Sequence, residues 1–255
     1  MFGLVSLIFM LGLLLMLAGI CALAWVDGRP RLAGFDLLIE HDDQVERPLI
    51  LILHAGGSSP CAAVEVLERL TVPDLREFRL VAPAGPLANA GARSWLAPEL
   101  GAEDTDKLVR AQVEQLTQLL SRLLARYPTS KRAIVVGLGE ASTLAVQLGL
   151  SAQPMIRAAF GFGGSYDGRH MPLATHLSTQ TQIRKLSWGP SSSSDRDAEA
   201  IAQARGFDYV VEHASEVSWC GPTVAFAGAA VPDPCDPEAV TPWLASKLLT
   251  ALETP

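Results

Sequence analysis

Charge is missing altogether from the first 26 residues of the chain, Met1 to Val26. About 20 apolar residues suffice to cross a bilayer core as a helix, so this stretch is long enough to span. A cleavable signal peptide is the rival reading, but such segments have a basic start and an apolar region of only about 7 to 15 residues. The present segment has neither, although Ala22-Leu23-Ala24 fits a small-x-small cleavage site. Leu17 to Cys21 resembles a lipoprotein box, except that Ile20 stands where a small residue is wanted. An uncleaved anchor is the expectation. Arg29 and Arg31 follow the span and nothing basic precedes it, a weak bias toward a cytoplasmic domain. Membrane side stays open, and cleavage would release the domain as a secreted or periplasmic protein.

Basic runs are also absent, and 20 Lys and Arg against 27 Asp and Glu give a net charge of −7. Nucleic acid, whose phosphates demand clustered cations, is therefore not an expected partner. No Cys-x-x-Cys occurs, and Cys61, Cys220 and Cys235 lack metal-ligand spacing, so no metal or other cofactor is expected. Cys220 and Cys235 could pair in an oxidising compartment or remain thiols in a reducing one. Internal repeats are lacking. The single low-complexity patch, Pro190 to Ser194, reads as a loop.

What is present alternates. Strand-length apolar runs occur at 35–39, 49–53, 78–81, 133–136, 158–162, 183–187 and 209–211. The runs from 49 and 133 show little polar alternation, as expected for strands covered on both faces. Helical patterns fall at 61–70, 105–127, 141–148, 195–204 and 236–252. In the second, Leu108, Val113, Leu116, Leu119, Leu120, Leu123 and Leu124 form one apolar stripe ended by Pro128. The alternation predicts an α/β fold with a mainly parallel sheet and helices on both faces. Residues 1–26 read as the anchor or signal segment, 27–34 as a linker and 35–255 as one large domain.

The most informative stretch is Gly137-Leu138-Gly139-Glu140-Ala141, between the β-branched run 132–136 and a helix-forming run. Strand, tight turn and helix in that order are the setting of the nucleophile elbow, whose pattern is G-x-S-x-G. Here the serine position is Gly139. Elbow residues are held in a strained conformation that costs a non-glycine residue about 1–3 kcal/mol, and glycine removes strain and chemistry together.

Three further features accompany the turn. His54-Ala55-Gly56-Gly57 follows the strongest early strand and resembles the H-G-G-type loop that supplies an oxyanion-hole amide. Val81 to Gly85 with Ala92 to Leu96 looks like a P-x-G … R-x-W region, and Phe160 to Ser165 like the Gly-rich exit after the elbow helix. With the elbow, these features make the chain similar to the α/β-hydrolase superfamily. The resemblance is to small bacterial phospholipase/carboxylesterase, dienelactone-hydrolase and polyhydroxybutyrate-depolymerase-like esterases. It implies an α/β-hydrolase-type sheet and, for an uncleaved anchor, a place at the bacterial inner membrane. A cleft at the strand ends would be lined by Ala55, Gly56, Gly57, Glu140 and Tyr166.

Carried over position by position, the nucleophile falls on Gly139 and the catalytic histidine on Val224, in Gly221 to Gly228. The acid should follow Trp188-Gly189, where Asp195 is the first carboxylate. None of His41, His54, His170, His176 or His213 stands at the family position. An ester hydrolase of this kind needs a hydroxyl, an imidazole and an orienting carboxylate. The substitutes on offer are Ser142, Asp195 and His213. Cys61 opens a helix without an obvious histidine partner, and the Glu140 carboxylate beside the hole would oppose a developing anion. The expected function is thus a membrane-tethered pseudo-hydrolase binding a small acyl or ester-like ligand or a protein. The alternative is a carboxylester or thioester hydrolase with an atypical catalytic set.

Overall fold

The computed structural model describes residues 30–69, 75–89, 92–97, 101–129, 132–152, 154–164, 181–188, 193–205 and 207–214. The apolar segment 1–26, Tyr166, Cys220, Val224, Cys235 and the helix expected over 236–252 lie outside the described residues. Among the described residues no helix is long and apolar enough to cross a membrane.

The elements run β1 (Arg31–Leu32), β2 (Phe35–Glu40), β3 (Leu49–Leu53), α1 (Pro60–Arg69), β4 (Arg79–Pro83), β5 (Leu87–Asn89), β6 (Ala92–Ser94) and α2 (Ala102–Arg126). There follow β7 (Ala133–Leu138), α3 (Ala141–Ser151), β8 (Ile156–Phe162), β9 (Gln182–Trp188), α4 (Ser193–Ala204) and β10 (Asp208–Ala214). Eight strands form one sheet in the order β1-β2-β4-β3-β7-β8-β9-β10, and β5-β6 is a separate hairpin. Strand β2 alone is reversed, pairing antiparallel with β1 and β4; β4, β3, β7, β8, β9 and β10 pair with one another in parallel.

Strand β3 explains the two layers. Its five residues are all buried, yet they point alternately to opposite faces. Leu49, Leu51 and Leu53 join the core with α2, α3 and α4, whereas Ile50 and Ile52 join a second core with Val64 and Leu67 of α1. Each such side chain contributes about 1.5–3 kcal/mol on burial. This two-sided cover is why the run lacks polar alternation.

All seven expected strands form, with small shifts at their ends. The structure adds two short pieces that periodicity could not reveal. Residues 31–34, read from the sequence as linker, carry β1 and a turn at Ala33 (φ 53°) and Gly34 (φ 89°). The β5-β6 hairpin has three residues a strand, too few for a period-2 signal. Helix α2 starts at Ala102, with Glu103 and Asp104 in its first turn, where acidic side chains suit the helix dipole.

The amino end of the sheet is closed by Arg79, which is fully buried at the start of β4. Its guanidinium donates to the carbonyls of His41 (3.1 Å), Asp43 (2.8 Å), Val45 (2.9 Å) and Pro128 (3.2 Å) and to Asp43 Oδ1 (3.2 Å). It also stacks 4.4 Å from the Tyr127 ring centroid. A buried cation is tolerable only when satisfied in this way.

Candidate functional site

Beyond β7 the chain turns through Gly139 and Glu140 into α3. Gly139 sits at φ 57°, a left-handed conformation that costs other L-residues about 1–2 kcal/mol. Its N–H donates to the Phe162 carbonyl (2.8 Å), and its own carbonyl accepts the Ser142 N–H (3.0 Å). Among the described residues other than its chain neighbours, a Cβ placed on Gly139 would meet Ala55, at 3.2 Å from its methyl and 3.7 Å from its Cα. A side chain here would therefore project beside the loop 54–57. Gly139 supplies none.

That loop is held from below by His54, which is fully buried. Its Nε2 accepts the Gly85 N–H (2.9 Å), so Nδ1 carries the proton and donates to the Ala55 carbonyl (2.7 Å). Burial, and secondarily Arg93, pushes its pKa down against the opposing pull of the Ala55 carbonyl. His54 is a neutral brace with both nitrogens engaged. Trp95 stacks on it at 5.4 Å between ring centroids and donates from Nε1 to its carbonyl (3.0 Å). The Gly57 N–H is committed to the hairpin, donating to the Arg93 carbonyl and Ser94 Oγ, both at 3.0 Å. Among the described contacts, the amides of Ala55, Gly56 and Glu140 are the remaining loop and turn donors beside Gly139.

The Glu140 carboxylate crosses the loop and lies over Gly56. Oε1 accepts the backbone N–H groups of Trp95 (2.8 Å) and Leu96 (3.4 Å). It lies so close over Gly56 that a Cβ there would stand 2.5 to 2.7 Å from the carboxyl atoms. Burial pushes the Glu140 pKa up, and the two amide hydrogen bonds counter it. Glu140 thus ties the turn, the loop and the hairpin together.

The three substitute groups do not converge among the described contacts. Ser142, in the first turn of α3, is fully buried with its Oγ pressed toward Gly161 of β8 and no hydrogen-bond partner among the described residues. Asp195, in the first turn of α4, is almost fully buried and salt-bridged to the fully buried Lys185 of β9. His213 lies on β10, the last strand of the sheet among the described residues, in register with Ser187 of β9. That strand is three steps from β7, roughly 14 Å at about 4.8 Å a step. Cys61 is the second residue of α1, a partly buried free thiol. Sequence reading missed Lys185, although a lysine inside the strand-like run 183–187 was a cue that a buried carboxylate must face it. It also missed Trp95 as the pin of the hairpin.

Setting the β5-β6 hairpin aside, the sheet order is 1-2-4-3-5-6-7-8 with the second strand reversed, and a tight left-handed turn joins the fifth strand to its helix. The chain has the α/β-hydrolase fold. Known structures agree: the Bacillus cereus carboxylesterase superposes with a TM-score of 0.60 at 13% identity, over 83% of this chain and 94% of that one. Arabidopsis thaliana SOBER1 gives a TM-score of 0.62 at 15% identity, over 81% of this chain and 100% of the other. Zea mays acyl-protein thioesterase 2 gives 0.55 at 15%, over 83% and 98%. No family model and no curated protein sequence matches the chain. At such identities the likeness of the hydrolase fold is one of backbone, and fold alone does not fix activity.

Proposed function

We propose that the protein is a membrane-tethered α/β-hydrolase-fold binding domain without serine-hydrolase chemistry. The observation that carries this reading is Gly139, which keeps the elbow's left-handed backbone and presents no attacking atom. Two arrangements support it. Ser142 is sealed beneath the turn, and Asp195 Oδ1 is bonded to the buried Lys185 ammonium. The tether is the uncharged segment 1–26. The cleft between the loop 54–57 and the turn 139–140 would take a small acyl or ester-like ligand or a segment of a partner protein.

A second reading is an ester or thioester hydrolase with an atypical catalytic set. It is favoured by backbone likeness to a carboxylesterase and a thioesterase, and by the Gly56 and Glu140 amides beside the turn. Assay of the purified full chain with short-chain aryl esters separates the two. The binding-domain reading expects hydrolysis at the buffer rate, unchanged in Ser142→Ala and His213→Ala. Turnover abolished by either substitution would establish the second reading.

A further inference from the structure

We propose that the consecutive amides of Trp95 and Leu96 form an anion cradle that Glu140 fills from within the chain. The ligand of the site is a small acyl compound whose free carboxylate takes the place of the Glu140 side chain. The inference rests on the reading of this region as a ligand-binding cleft and adds the chemical class of the ligand and its way in.

Space decides that Glu140 must move. Its carboxyl group lies so close over Gly56 that a Cβ there would stand 2.5 Å from Cδ and 2.7 Å from each oxygen. Not even a methyl group fits between them, so a ligand cannot reach this face of Gly56 while Glu140 stays. The side chain can leave without breaking an ion pair. Among the described residues no cation is paired with it, and its bonds are those from the two amides to Oε1. Burial works against its ionised form, so release of the carboxylate into water regains hydration.

Hydrogen bonding decides what replaces it. Trp95 and Leu96 offer successive N–H groups to one oxygen, at 2.8 and 3.4 Å, and consecutive amides converging on a point make an anion-binding concavity. Trp95 is pinned independently of Glu140, so the cradle persists when that side chain leaves. The Trp95 indole donates to the His54 carbonyl (3.0 Å), and its backbone carbonyl accepts from Gln112 Nε2 (2.5 Å). An occupant without an acceptor would strand the amide of this fully buried residue. A carboxylate restores both bonds and, in exchange for the Glu140 carboxylate, leaves the charge of the site unchanged. An ester or amide carbonyl is a weaker, uncharged acceptor, and an ammonium group has donors only.

The test uses the full chain in detergent micelles, its tryptophans labelled with nitrogen-15 so that five backbone amides are followed, with Trp95 assigned through Trp95→Phe. The probes are butyrate, butyramide and butylammonium at equal ionic strength. In Glu140→Ala, butyrate should shift the Trp95 amide resonance, butyramide should bind at least about tenfold more weakly, and butylammonium should have no effect. The natural chain should bind butyrate too, at least about tenfold more weakly than Glu140→Ala, because the tethered carboxylate competes at a high effective concentration. Should Glu140→Ala fail to fold, Glu140→Gln takes its place, since a neutral amide yields to butyrate more readily than the natural carboxylate. A Trp95 amide indifferent to butyrate in the folded variant or in the natural chain overturns the proposal. So does equal affinity for butyramide, or equal butyrate affinity in the two chains. Each of those outcomes leaves the non-hydrolytic reading intact, whereas aryl-ester turnover by the natural chain would sink that reading and leave the cradle standing.

Discussion

The two ends of the sheet handle buried polar groups in opposite ways. At the amino end a whole guanidinium, Arg79, is taken out of water, and its three nitrogens meet carbonyl or carboxylate oxygen. At the carboxyl end the backbone is bent into a left-handed turn, and the residue at its apex offers only hydrogen. The first arrangement is a side chain fully used for stability. The second keeps a left-handed turn whose apex residue carries no side chain. The contrast sets a side chain wholly engaged by the fold against a backbone geometry kept by glycine alone.

The sharpest way to break the contrast is at the amino end. Arg79→Leu strands four carbonyls that now share one cation, and a loss of at least about 3 kcal/mol is expected. At about 2–4 °C per kcal/mol for a domain of this size, calorimetry should show a melting temperature lower by roughly 6 °C or more. Lys185→Met is comparable, about 3–5 kcal/mol, because it leaves the Asp195 carboxylate buried without its cation. Adding Asp195→Leu should recover part of that loss in urea unfolding. No recovery would contradict the view that the stranded carboxylate causes the loss.

The cleft end should respond more gently. Gly139→Ser places a side chain at φ 57° and 3.2 Å from the Ala55 methyl. It is expected to cost about 1–2 kcal/mol and, with no histidine at the family position in the sequence, to confer no ester hydrolysis. A large gain in aryl-ester turnover would show that an imidazole does wait beside the turn.

Glu140→Gln sharpens the comparison through pH. The folded pKa of Glu140 is raised above its ordinary 4.5 by burial. The stability linked to that shift is therefore fully present below the unfolded value and lost as pH rises through the folded one. The Gln variant keeps the acceptor for Trp95 and Leu96 without the titration. Its stability relative to the natural chain should rise as pH increases from acid to neutral, measured by urea midpoints. Ser142→Ala is the smallest change. It removes a buried hydroxyl that has no partner, so stability within about 0.5 kcal/mol of the original, or slightly higher, is expected.

Much of the sheet was legible because long strands covered on both faces leave an unbroken apolar run, as in Leu49 to Leu53. The stripe of α2 was legible for the same reason, its period surviving over many turns. The elbow could be read because Gly139 occupies a position defined by its neighbours on both sides. Short elements were not legible: β1 and the strands of the β5-β6 hairpin are too brief for a period-2 pattern, and the chain just after the hairpin is fixed by Glu140 accepting the Trp95 N–H and by the Trp95 indole on the His54 carbonyl. The roles of Glu140 and Lys185 depend on contacts to residues 44 or 45 positions away and ten positions away, respectively. Neither spacing leaves a local pattern. Sequence reading set the Glu140 carboxylate beside the oxyanion loop; in the fold it lies over Gly56 and accepts the Trp95 and Leu96 amides.

The most direct measurement is the intact mass of the full chain after exposure to a fluorophosphonate, which marks activated serines irrespective of the ester they prefer. A turn with glycine at its apex and Ser142 sealed below should give the unmodified mass alone. A stoichiometric adduct, mapped to any serine in the domain, would contradict the claim that this elbow is empty.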